Sequence, residues 1–330
     1  MRHEAEKEKL DMQDERPPSR VPQLVAVLGA GTMGSAMARR LLGCGFTVHA
    51  WNRDPEPLAA LARSGAETST DACAAVRDAD VVLTLLPTAG VVEDVMVGTG
   101  VLDAVAPDSV WAQMGTIGVD GTRRLAAAVR ARRPDVLFVD APVSGSRDPA
   151  EKGRLLVLAS GPDQAEPVLG PVFDALGRST IWLGAAGAGS QMKLVLNTWL
   201  AFQAEGAAES AALADRFSLR PADLVAALRG NPITSDYALA KLERMFTGDY
   251  RPDFSLDWAL KDLDLVGAEA PGAAPVAGAI AVRWRRLVQE GWSGADVSAA
   301  RNGLAPSATG GPGRRTPGRS RDAGRRREAV

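Results

Sequence analysis

Two groups of residues in this 330-residue chain have the types and spacing to carry out a redox reaction together. Gly29, Gly31 and Gly34 have the spacing of a turn that holds the phosphates of a dinucleotide. Lys193 and Asn197 lie four residues apart, which places both on one face of a helix. Together the two groups suggest hydride transfer with Lys193 as the proton donor; the alternative for Lys193 is an ordinary solvated helix lysine.

Lys193 can act as an acid because its ammonium group can donate a hydrogen bond, and then a proton, to a carbonyl that accepts hydride. An unperturbed lysine has a pKa of about 10.4 and is cationic at neutral pH. Gly187 and Gly189 precede Lys193, so we place it in the first turn of a long helix where two domains meet. Clefts between domains are common ligand sites.

The other residues that could transfer a proton are less suitable. His3 lies in a charged N-terminal segment and His49 in a predicted strand, and the chain has no further histidine. Tyr237 and Lys241 have the Y-x-x-x-K spacing of short-chain dehydrogenases. We interpret that spacing as a coincidence, because those enzymes keep the pair inside the sheet domain and this pair falls in the predicted helical half.

The glycine motif follows a short apolar strand and opens a helix predicted at Thr32–Gly43, which is the context that dinucleotide binding requires. The first glycine permits a tight turn, the second lets the backbone approach the pyrophosphate, and the third lets the helix pack on the strand. Free N–H groups at the helix N-terminus then face the phosphates. The predicted cofactor-binding residues of this turn are Gly29, Ala30, Gly31, Thr32, Met33 and Gly34.

The end of the second predicted strand indicates which nicotinamide cofactor binds. NAD sites usually carry Asp or Glu there to hold the ribose hydroxyls, whereas this chain has Trp51, Asn52 and Arg53. Asn52 does not repel a phosphate, and Arg53 can pair with a 2′-phosphate and stack on adenine. These residues favour NADP (NADPH) over NAD, although Asp54 could still serve a ribose.

A loop after another predicted strand is a second candidate for ligand binding. The segment from Asp140 to Ser146 begins where the carboxyl end of a parallel strand would meet a ligand. Ser144 offers a hydroxyl, and Gly145 and Ser146 offer backbone N–H groups. We predict that these three residues bind a substrate carboxylate; the alternative is an ordinary turn.

Alternating strand and helix patterns predict a doubly wound parallel sheet in the N-terminal half. The unbroken apolar strand at Val81–Leu86 is typical of a buried parallel sheet. After residue 184 only helical patterns continue, and the first is a long helix from about Ser190 to Arg216. The other predicted strands are Leu24–Gly29, Thr47–Trp51, Ser109–Met114, Val136–Asp140, Leu155–Ala159 and Thr180–Leu183.

The predicted fold class is therefore α/β. We expect an N-terminal Rossmann doubly wound domain at residues 23–184 and an all-α C-terminal domain at residues 185–302, joined by the long interdomain helix. Residues 1–22 are charged and residues 303–330 are rich in Gly, Pro, Ser and Arg, so both have the composition of disordered tails.

Composition narrows the possible partners. A net charge of −2 gives no reason to expect nucleic acid as a partner. The sequence has no run of about 18 apolar residues, so we predict no membrane span. The N-terminus lacks the apolar stretch of a secretory signal, so we expect a cytoplasmic protein. Cys44 and Cys73 are too few to form a zinc site by themselves, and we predict no metal.

The motifs together resemble those of the β-hydroxyacid dehydrogenase family, which includes 3-hydroxyisobutyrate dehydrogenases and glyoxylate/succinic semialdehyde reductases. VLGAGTMGSAMARRL resembles the family's glycine signature, DAPVSGSRDPAEKGRL its substrate loop and GSQMKLVLN its catalytic-lysine helix. LKDLDL at 260–265 and GADVSA at 294–299 resemble its closing helices. The S-G-S form of the loop, with WNR, is more similar to the semialdehyde reductases.

The resemblance implies a catalytic pair, a substrate loop and a cofactor lining. The catalytic residue would be Lys193, with Asn197 as its partner. The substrate contacts would be Ser144, Gly145 and Ser146, and the cofactor lining would be Leu86, Pro87, Val91, Thr116 and Lys261. Three residues depart from the family pattern, namely Ala30, Arg40 and Gly115, the last of which stands where a serine is common.

We therefore predict an NADPH-dependent reductase that converts small carboxylate-bearing carbonyls, of the glyoxylate or semialdehyde type, reversibly to hydroxyacids. The resemblance also implies a homodimer formed by helices of the second domain. An imine reductase of the same fold and a non-catalytic NADP-binding scaffold protein are the alternatives. Lys193 counts against both, because imine reductases usually lack this lysine and the scaffold relatives have lost it.

Overall fold

The structure, a computed structural model, describes residues 22–304. The tails expected at 1–22 and 303–330 lie outside these residues, except for Pro22, Gly303 and Leu304. In the described part of the chain every strand ends by Trp182, and only helices follow.

Six parallel strands form the main sheet: β1 (Leu24–Leu28), β2 (Thr47–Trp51), β3 (Glu67–Ser69), β4 (Val81–Thr84), β5 (Val110–Gln113) and β6 (Leu137–Asp140). Their order is β3-β2-β1-β4-β5-β6, with Leu24 opposite Thr47 and Val25 opposite Val81. Residues of β1 and β4 are buried on both faces, as their continuous apolar sequences require. The strand order reverses between β1 and β4, so a crevice for a ligand is expected at their carboxyl ends.

A separate three-stranded sheet follows, made of β7 (Val143–Ser144), β8 (Leu155–Ala159) and β9 (Gly177–Trp182). β7 is antiparallel to β8, and β8 is parallel to β9. The expectation that the strands predicted at 155–159 and 180–183 extend the main sheet was therefore wrong. Which strands pair cannot be deduced from local sequence. The chain leaves the main sheet after β6 at Pro142, which has no N–H group to continue the hydrogen bonding of a strand.

Helices cover both faces of the main sheet. The glycine turn leads into α1 (Thr32–Gly43), whose bounds match the prediction, and Met37 and Leu41 of this helix are fully buried against the sheet. The other helices of this part are α2 (Glu56–Arg63), α3 (Ala72–Val76), α4 (Ala89–Glu93), α5 (Val101–Ala104), α6 (Val119–Arg132), α7 (Arg147–Glu151) and α8 (Glu166–Leu176).

The long interdomain helix, α9 (Ala188–Arg216), begins between the two parts and forms the spine of the helical domain. Its buried stripe of alanines, at 201, 204, 208 and 211, packs in a core with Trp284, which is fully buried. The remaining helices are α10 (Pro221–Leu228), α11 (Asp236–Thr247), α12 (Leu256–Glu269) and α13 (Pro275–Leu287).

Helix α12 returns from the helical domain to the carboxyl edge of the main sheet. Glu269 Oε1 accepts a hydrogen bond from Val119 N (2.6 Å) at the first turn of α6, and Lys261 Nζ donates one to the Thr116 carbonyl. Gly118 has φ +84°, and a Cβ there would lie 2.5 Å from Glu269 Oε1. The two domains therefore contact each other at the segment that follows the carboxyl end of β5.

The described residues, 22–304, can be compared with the expectations about a membrane span, a metal site and the two cysteines. No described helix is long and apolar enough to cross a membrane. Within the same range, no three or more His, Cys, Asp or Glu residues converge in a group that could hold a metal ion. Cys44 and Cys73 are both free thiols.

Candidate active site

The glycine turn has the geometry that each glycine was predicted to provide. Gly29 has φ +106°, and a Cβ there would lie 2.6 Å from the Leu85 carbonyl oxygen. A Cβ on Gly34 would collide with the Gly29 carbonyl, so the start of α1 can approach β1 only with glycine here. Any side chain at either position would push the turn away from the ends of β1 and β4.

Gly31 differs from the other two glycines because it faces open space. A Cβ on Gly31 would meet nothing within 4 Å, and Gly31 directly precedes the 12-residue helix α1. No side chain caps the N-terminus of α1, so its backbone N–H groups are free to bind an anion. An open glycine in front of an uncapped helix fits a dinucleotide pyrophosphate, with Thr32 exposed and Met33 half-buried beside it.

Asn52 and Arg53 follow β2, but the structure gives them different environments. Asn52 Oδ1 accepts a hydrogen bond from Ala30 N (3.0 Å), and Asn52 Nδ2 donates one to the Asp54 carbonyl (2.9 Å). Asn52 therefore holds the glycine turn against the end of β2. Arg53 is exposed, which leaves its guanidinium accessible to a ligand in the crevice.

The remaining residues of the predicted cofactor lining come from both domains. Leu86 is buried and Pro87 exposed just after β4, while Val91 is half-buried on α4. Thr116 follows β5, and its carbonyl accepts the hydrogen bond from Lys261 on α12. The structure thus brings Thr116 and Lys261 together although 145 positions separate them.

Gly115 departs from the family pattern for a steric reason. A Cβ at this position would lie 2.5 Å from the Leu86 carbonyl oxygen. Gln113 holds the same turn, since its Oε1 accepts from Gly115 N (3.1 Å) and its Nε2 donates to the Gly115 carbonyl (2.7 Å). No local sequence pattern marks Gln113, because its role depends on the fold of the backbone at Gly115.

The predicted substrate loop lies at the junction of the two sheets. Ser144 is half-buried in the short strand β7, Gly145 is exposed, and Ser146 precedes α7. Gly145 has φ +135°, and a Cβ there would lie 2.7 Å from the Leu155 side chain. Glycine is therefore required to turn the chain sharply between the two serines.

Lys193 and Asn197 share one face of α9, as the spacing predicted, and a carboxylate from α12 joins them. Asn197 is buried, and its Nδ2 donates a hydrogen bond to Asp262 Oδ2. Asp262 is also buried, with its Oδ1 2.7 Å from Lys261 Nζ. This arrangement places a buried carboxylate and two lysines around the first turns of α9.

The environment of Lys193 makes its amine a weaker base than an ordinary lysine. Lys193 is half-buried, and burial lowers the pKa of its ammonium from 10.5 to about 8. Asp262 opposes that change by attracting the ammonium, whereas Lys261 adds to it by repulsion. A pKa near 8 lets Lys193 release and take up a proton near neutral pH, which an ordinary lysine does poorly.

Asp262 is the main member of this cluster that could not be predicted from the sequence. It lies 65 positions from Asn197, and nothing local in the sequence indicates their contact. The only signal was its place in LKDLDL at 260–265, next to Lys261. Such a motif marks a helix but does not say which side chain reaches α9.

Tyr237 and Lys241 lie apart from this cluster. Lys241 is buried, and its Nζ donates to both carboxylate oxygens of Asp296, each at 2.9 Å. Burial, together with Asp296 and Asp253, raises the pKa of Tyr237 well above its ordinary value. A lysine committed to a buried ion pair and a phenol that does not ionise agree with the interpretation of Y-x-x-x-K as a coincidence.

The parallel sheet with its glycine turn, followed by a helical domain that closes over the sheet edge, defines the class of two-domain nicotinamide-dependent dehydrogenases. Comparison with known families agrees with this class. Residues 24–184 match the NAD binding domain of 6-phosphogluconate dehydrogenase. Residues 187–303 match the family model described as NAD-binding of NADP-dependent 3-hydroxyisobutyrate dehydrogenase.

Individual relatives are similar to this chain over most of their own length. The chain is 32% identical over 244 residues to 2-(hydroxymethyl)glutarate dehydrogenase of Eubacterium barkeri, covering 73% of this chain and 80% of the relative. It is 29% identical over 279 residues to glyoxylate/succinic semialdehyde reductase 1 of Arabidopsis thaliana, covering 83% and 96%. It is similar to the crystal structure of 3-hydroxyisobutyrate dehydrogenase from Salmonella typhimurium, with a TM-score of 0.77 and 28% identity over 84% of this chain and 98% of that one.

The chain belongs to the 3-hydroxyisobutyrate dehydrogenase-like β-hydroxyacid dehydrogenase family. It is therefore an NAD(P)-dependent oxidoreductase that acts on CH–OH groups. The family resemblance and the fold class predicted from the sequence are both confirmed.

Proposed function

We propose that this protein is an NADPH-dependent reductase of small carbonyl acids, of the glyoxylate or semialdehyde type, that works reversibly and uses Lys193 as its general acid and base. The observation that carries this proposal is the half-buried Lys193, whose pKa is lowered to about 8 by burial. A lysine with a lowered pKa can transfer a proton near neutral pH, but burying its ammonium group lowers the stability of the folded protein. This combination is typical of a catalytic group.

In the reductive direction, Lys193 enters the reaction as an ammonium ion and donates its proton to the carbonyl oxygen. The bound nicotinamide cofactor supplies the hydride for the carbonyl carbon. In the oxidative direction, the neutral Lys193 amine takes the proton from the hydroxyl of the substrate. Asn197 acts on this step indirectly, since it holds Asp262 in the position that stabilises the ammonium form.

The cofactor proposal assigns the pyrophosphate to Gly31 and the N-terminus of α1, and the 2′-phosphate to Arg53. The open space at Gly31 supports the first assignment. The exposure of Arg53 and the absence of an acid at position 52 support the second, because a carboxylate there would hold the ribose hydroxyls of NAD. Pro87, Val91, Thr116 and Lys261 would line the rest of the crevice.

The substrate proposal assigns the carboxylate to Ser144, Gly145 and Ser146. A hydroxyl and consecutive N–H groups suit an anion better than an apolar ketone. Two relatives support this assignment by name, since glutarates, glyoxylate and succinic semialdehyde all carry a carboxylate.

Matched pairs of substrates test the proposal directly. We expect NADPH-dependent reduction of succinic semialdehyde and glyoxylate, and a much lower kcat/KM for butanal and glyoxylamide, because a missing anion leaves donors of the loop unpaired. Ser144→Ala should narrow the difference within each pair. Equal rates for acid and uncharged analogue would rule out the carboxylate assignment, and turnover of cyclic imines alone would replace the proposal by an imine reductase.

We also propose that a second copy of the chain covers the exposed face of α9. Val195, Trp199 and Leu213 on this helix are 63%, 62% and 55% exposed, an unusual cost for large apolar side chains in a monomer. Sedimentation should give the mass of a dimer for the wild type and of a monomer for Trp199→Glu. A monomeric wild type would contradict this proposal.

A further inference from the structure

Asp140 carries a buried carboxylate that the proposed chemistry does not use. It ends β6 and is fully buried, with no exposed surface. Its Oδ2 accepts a hydrogen bond from Ser190 N (2.7 Å) and its Oδ1 accepts one from Ser190 Oγ (2.8 Å). Ser160 Oγ is a third donor, 3.2 Å from Oδ2. The carboxylate thus binds the first turn of the helix that carries Lys193.

The same residue is also the start of the predicted substrate loop. Its backbone is bridged to Ser160, with Asp140 N donating to the Ser160 carbonyl (2.9 Å) and Ser160 N donating to the Asp140 carbonyl (2.8 Å). Ser144 follows only four residues later. Asp140 therefore connects the loop to α9 through one side chain and a short piece of backbone.

The neighbours of Asp140 restrict the position of the first turn of α9 further. Gly189 N donates to Ser160 Oγ (2.9 Å), and a Cβ on Gly189 would collide with the Leu158 carbonyl. Thr122 Oγ1 on α6 lies 3.0 Å from Ser190 Oγ. Contacts from β6, β8 and α6 thus converge on residues 189 and 190, three to four positions before Lys193.

Stability alone does not account for a carboxylate at this position. Burial raises the pKa of Asp140, and only neutral donors from Ser190, Ser160 and Gly187 oppose that change. No described lysine or arginine pairs with Asp140 to offset the cost of burying its charge. Serine or asparagine is an equally good N-cap at a lower desolvation cost. What a carboxylate adds over a serine is a pair of acceptor oxygens that bind Ser190 N, Ser190 Oγ and Ser160 Oγ at the same time.

We propose that Asp140 is a positioning residue that holds the first turn of α9, and with it Lys193, in register with the substrate loop. This inference rests on the proposed role of Lys193. It does not assign Asp140 a contact with substrate or cofactor. If the first turn of α9 lost its hydrogen bonds to Asp140 and shifted, the helix would still fold. Lys193 would then approach the substrate carbonyl at an unfavourable distance and angle.

Asp140→Asn tests the proposal, and Asp296→Asn is the control for the loss of a buried carboxylate; Asp296, unlike Asp140, is paired with Lys241. Asp296 is also a fully buried carboxylate that caps a helical turn, through Ser298 N at 3.0 Å, but it lies in the helical domain away from the crevice. Both variants should lose thermal stability. Only Asp140→Asn should lower kcat, by about 10–100-fold, with the KM for NADPH changed less than about twofold. Ser190→Ala removes the hydroxyl donor to Asp140 and keeps the backbone N–H donor, so we expect a smaller loss of kcat. This variant replaces Asp140→Asn as the test if Asp140→Asn does not fold.

Hydrogen exchange gives a readout that does not depend on activity. The amides of residues 189–193 should exchange faster in Asp140→Asn than in the wild type and in Asp296→Asn. Faster exchange combined with an unchanged kcat per folded molecule would reduce Asp140 to a structural cap and overturn the proposal. Unchanged exchange would overturn it as well. If the wild type reduces no carbonyl acid, the proposed function fails on its own, and the exchange data still decide whether Asp140 holds this turn.

Discussion

Asn197 donates a hydrogen bond from its side-chain amide to the carboxylate of Asp262, although the two residues lie on different helices and 65 positions apart. The contact matters because Asp262 is the group that favours the charged form of Lys193. Lys261, next to Asp262, reaches the Thr116 carbonyl in the sheet domain. A continuous set of polar contacts therefore runs from α9 through α12 to the edge of the main sheet.

The pH dependence of the two reaction directions should be opposite. Since the pKa of Lys193 is about 8, the ammonium ion needed for reduction is lost as pH rises through that value. The neutral amine needed for oxidation is gained over the same range. We expect kcat for NADPH oxidation to fall, and kcat for the reverse reaction to rise, in assays between about pH 6 and 10.

Asp262→Asn is the control for this assignment. Removing the carboxylate removes the attraction that keeps the Lys193 pKa from falling further. The pH at which reduction is half-lost should therefore move to a lower value in the variant. Two results would contradict the assignment of the titrating group to Lys193. One is a kcat that does not change with pH in either direction, and the other is a midpoint pH that is the same in the wild type and in Asp262→Asn.

Lys193→Met should stabilise the protein at neutral pH. The folded-state pKa of about 8 is below the ordinary value of 10.5, so the unfolded chain holds this proton more tightly. The resulting cost is fully present below pH 8 and is lost as pH rises from 8 to 10.5. At 1.36 kcal/mol per pKa unit the upper bound is roughly 3 kcal/mol, and the partial exposure of Lys193 reduces the expected gain to about 1–2 kcal/mol.

Lys241→Met gives the contrast, since it removes a buried lysine that is ion-paired with a buried carboxylate and should therefore destabilise the protein. Its loss removes the lysine that donates to both carboxylate oxygens of the fully buried Asp296 and leaves Arg244 Nη1, at 3.4 Å, as its remaining cationic partner; breaking a buried ion pair costs up to about 3–5 kcal/mol. Chemical denaturation at pH 7 and 9 measures both variants. If Lys193→Met lowers the free energy of unfolding at pH 7, the amine is not held in a strained state.

Elements with a strong local signal could be predicted from the sequence. α1 was predicted at its observed bounds, because a glycine turn and helical spacing of apolar residues mark both of its ends. β3, in contrast, consists of the three polar or half-exposed residues Glu67–Ser69 and has no apolar pattern. It is a strand because β2 lies beside it, with His49 opposite Glu67.

The candidate site likewise contains residues that a local motif marks and residues that only long-range contacts define. The glycine turn and Lys193 could be found because each lies in a motif whose chemistry is local. Asp262 and Asp140 could not, since their roles consist of contacts with Asn197 and Ser190, 65 and 50 positions away. The sequence shows which residues are able to react, whereas the pKa of Lys193 depends on burial and on the packing of α9 against α12, which brings Asp262 and Lys261 close to it.

Arg53 and Asn52 should separate cofactor preference from cofactor binding. Arg53→Ala should weaken NADPH binding by about 1.5–3 kcal/mol, the typical loss of a charge-assisted hydrogen bond, and leave NADH nearly unchanged. Asn52→Ala should weaken both cofactors, because Asn52 supports the backbone at Ala30. Fluorescence titration with both cofactors measures these constants. Equal losses for NADPH and NADH in Arg53→Ala would show that Arg53 does not read the 2′-phosphate.

Glu269 should contribute to stability across the domain boundary. Its carboxylate accepts from Val119 N at the start of the 14-residue helix α6, so Glu269→Ala should cost about 1–2 kcal/mol, as loss of a helix cap does. Glu93→Ala is the control, because its ion pair with Arg124 is exposed and worth less than about 1 kcal/mol. Similar melting temperatures for the two variants would mean that the contact between α12 and α6 is weak in solution.

Single-turnover reduction tests most directly whether Lys193 transfers the proton. Wild type and Lys193→Ala are each loaded with NADPH and mixed with excess succinic semialdehyde, and the rate of NADPH oxidation is recorded. We expect a rate about 10²–10⁴-fold lower in Lys193→Ala, with an NADPH dissociation constant within about twofold of the wild type. A folded Lys193→Ala variant that binds NADPH and keeps most of the wild-type rate would contradict proton transfer by Lys193.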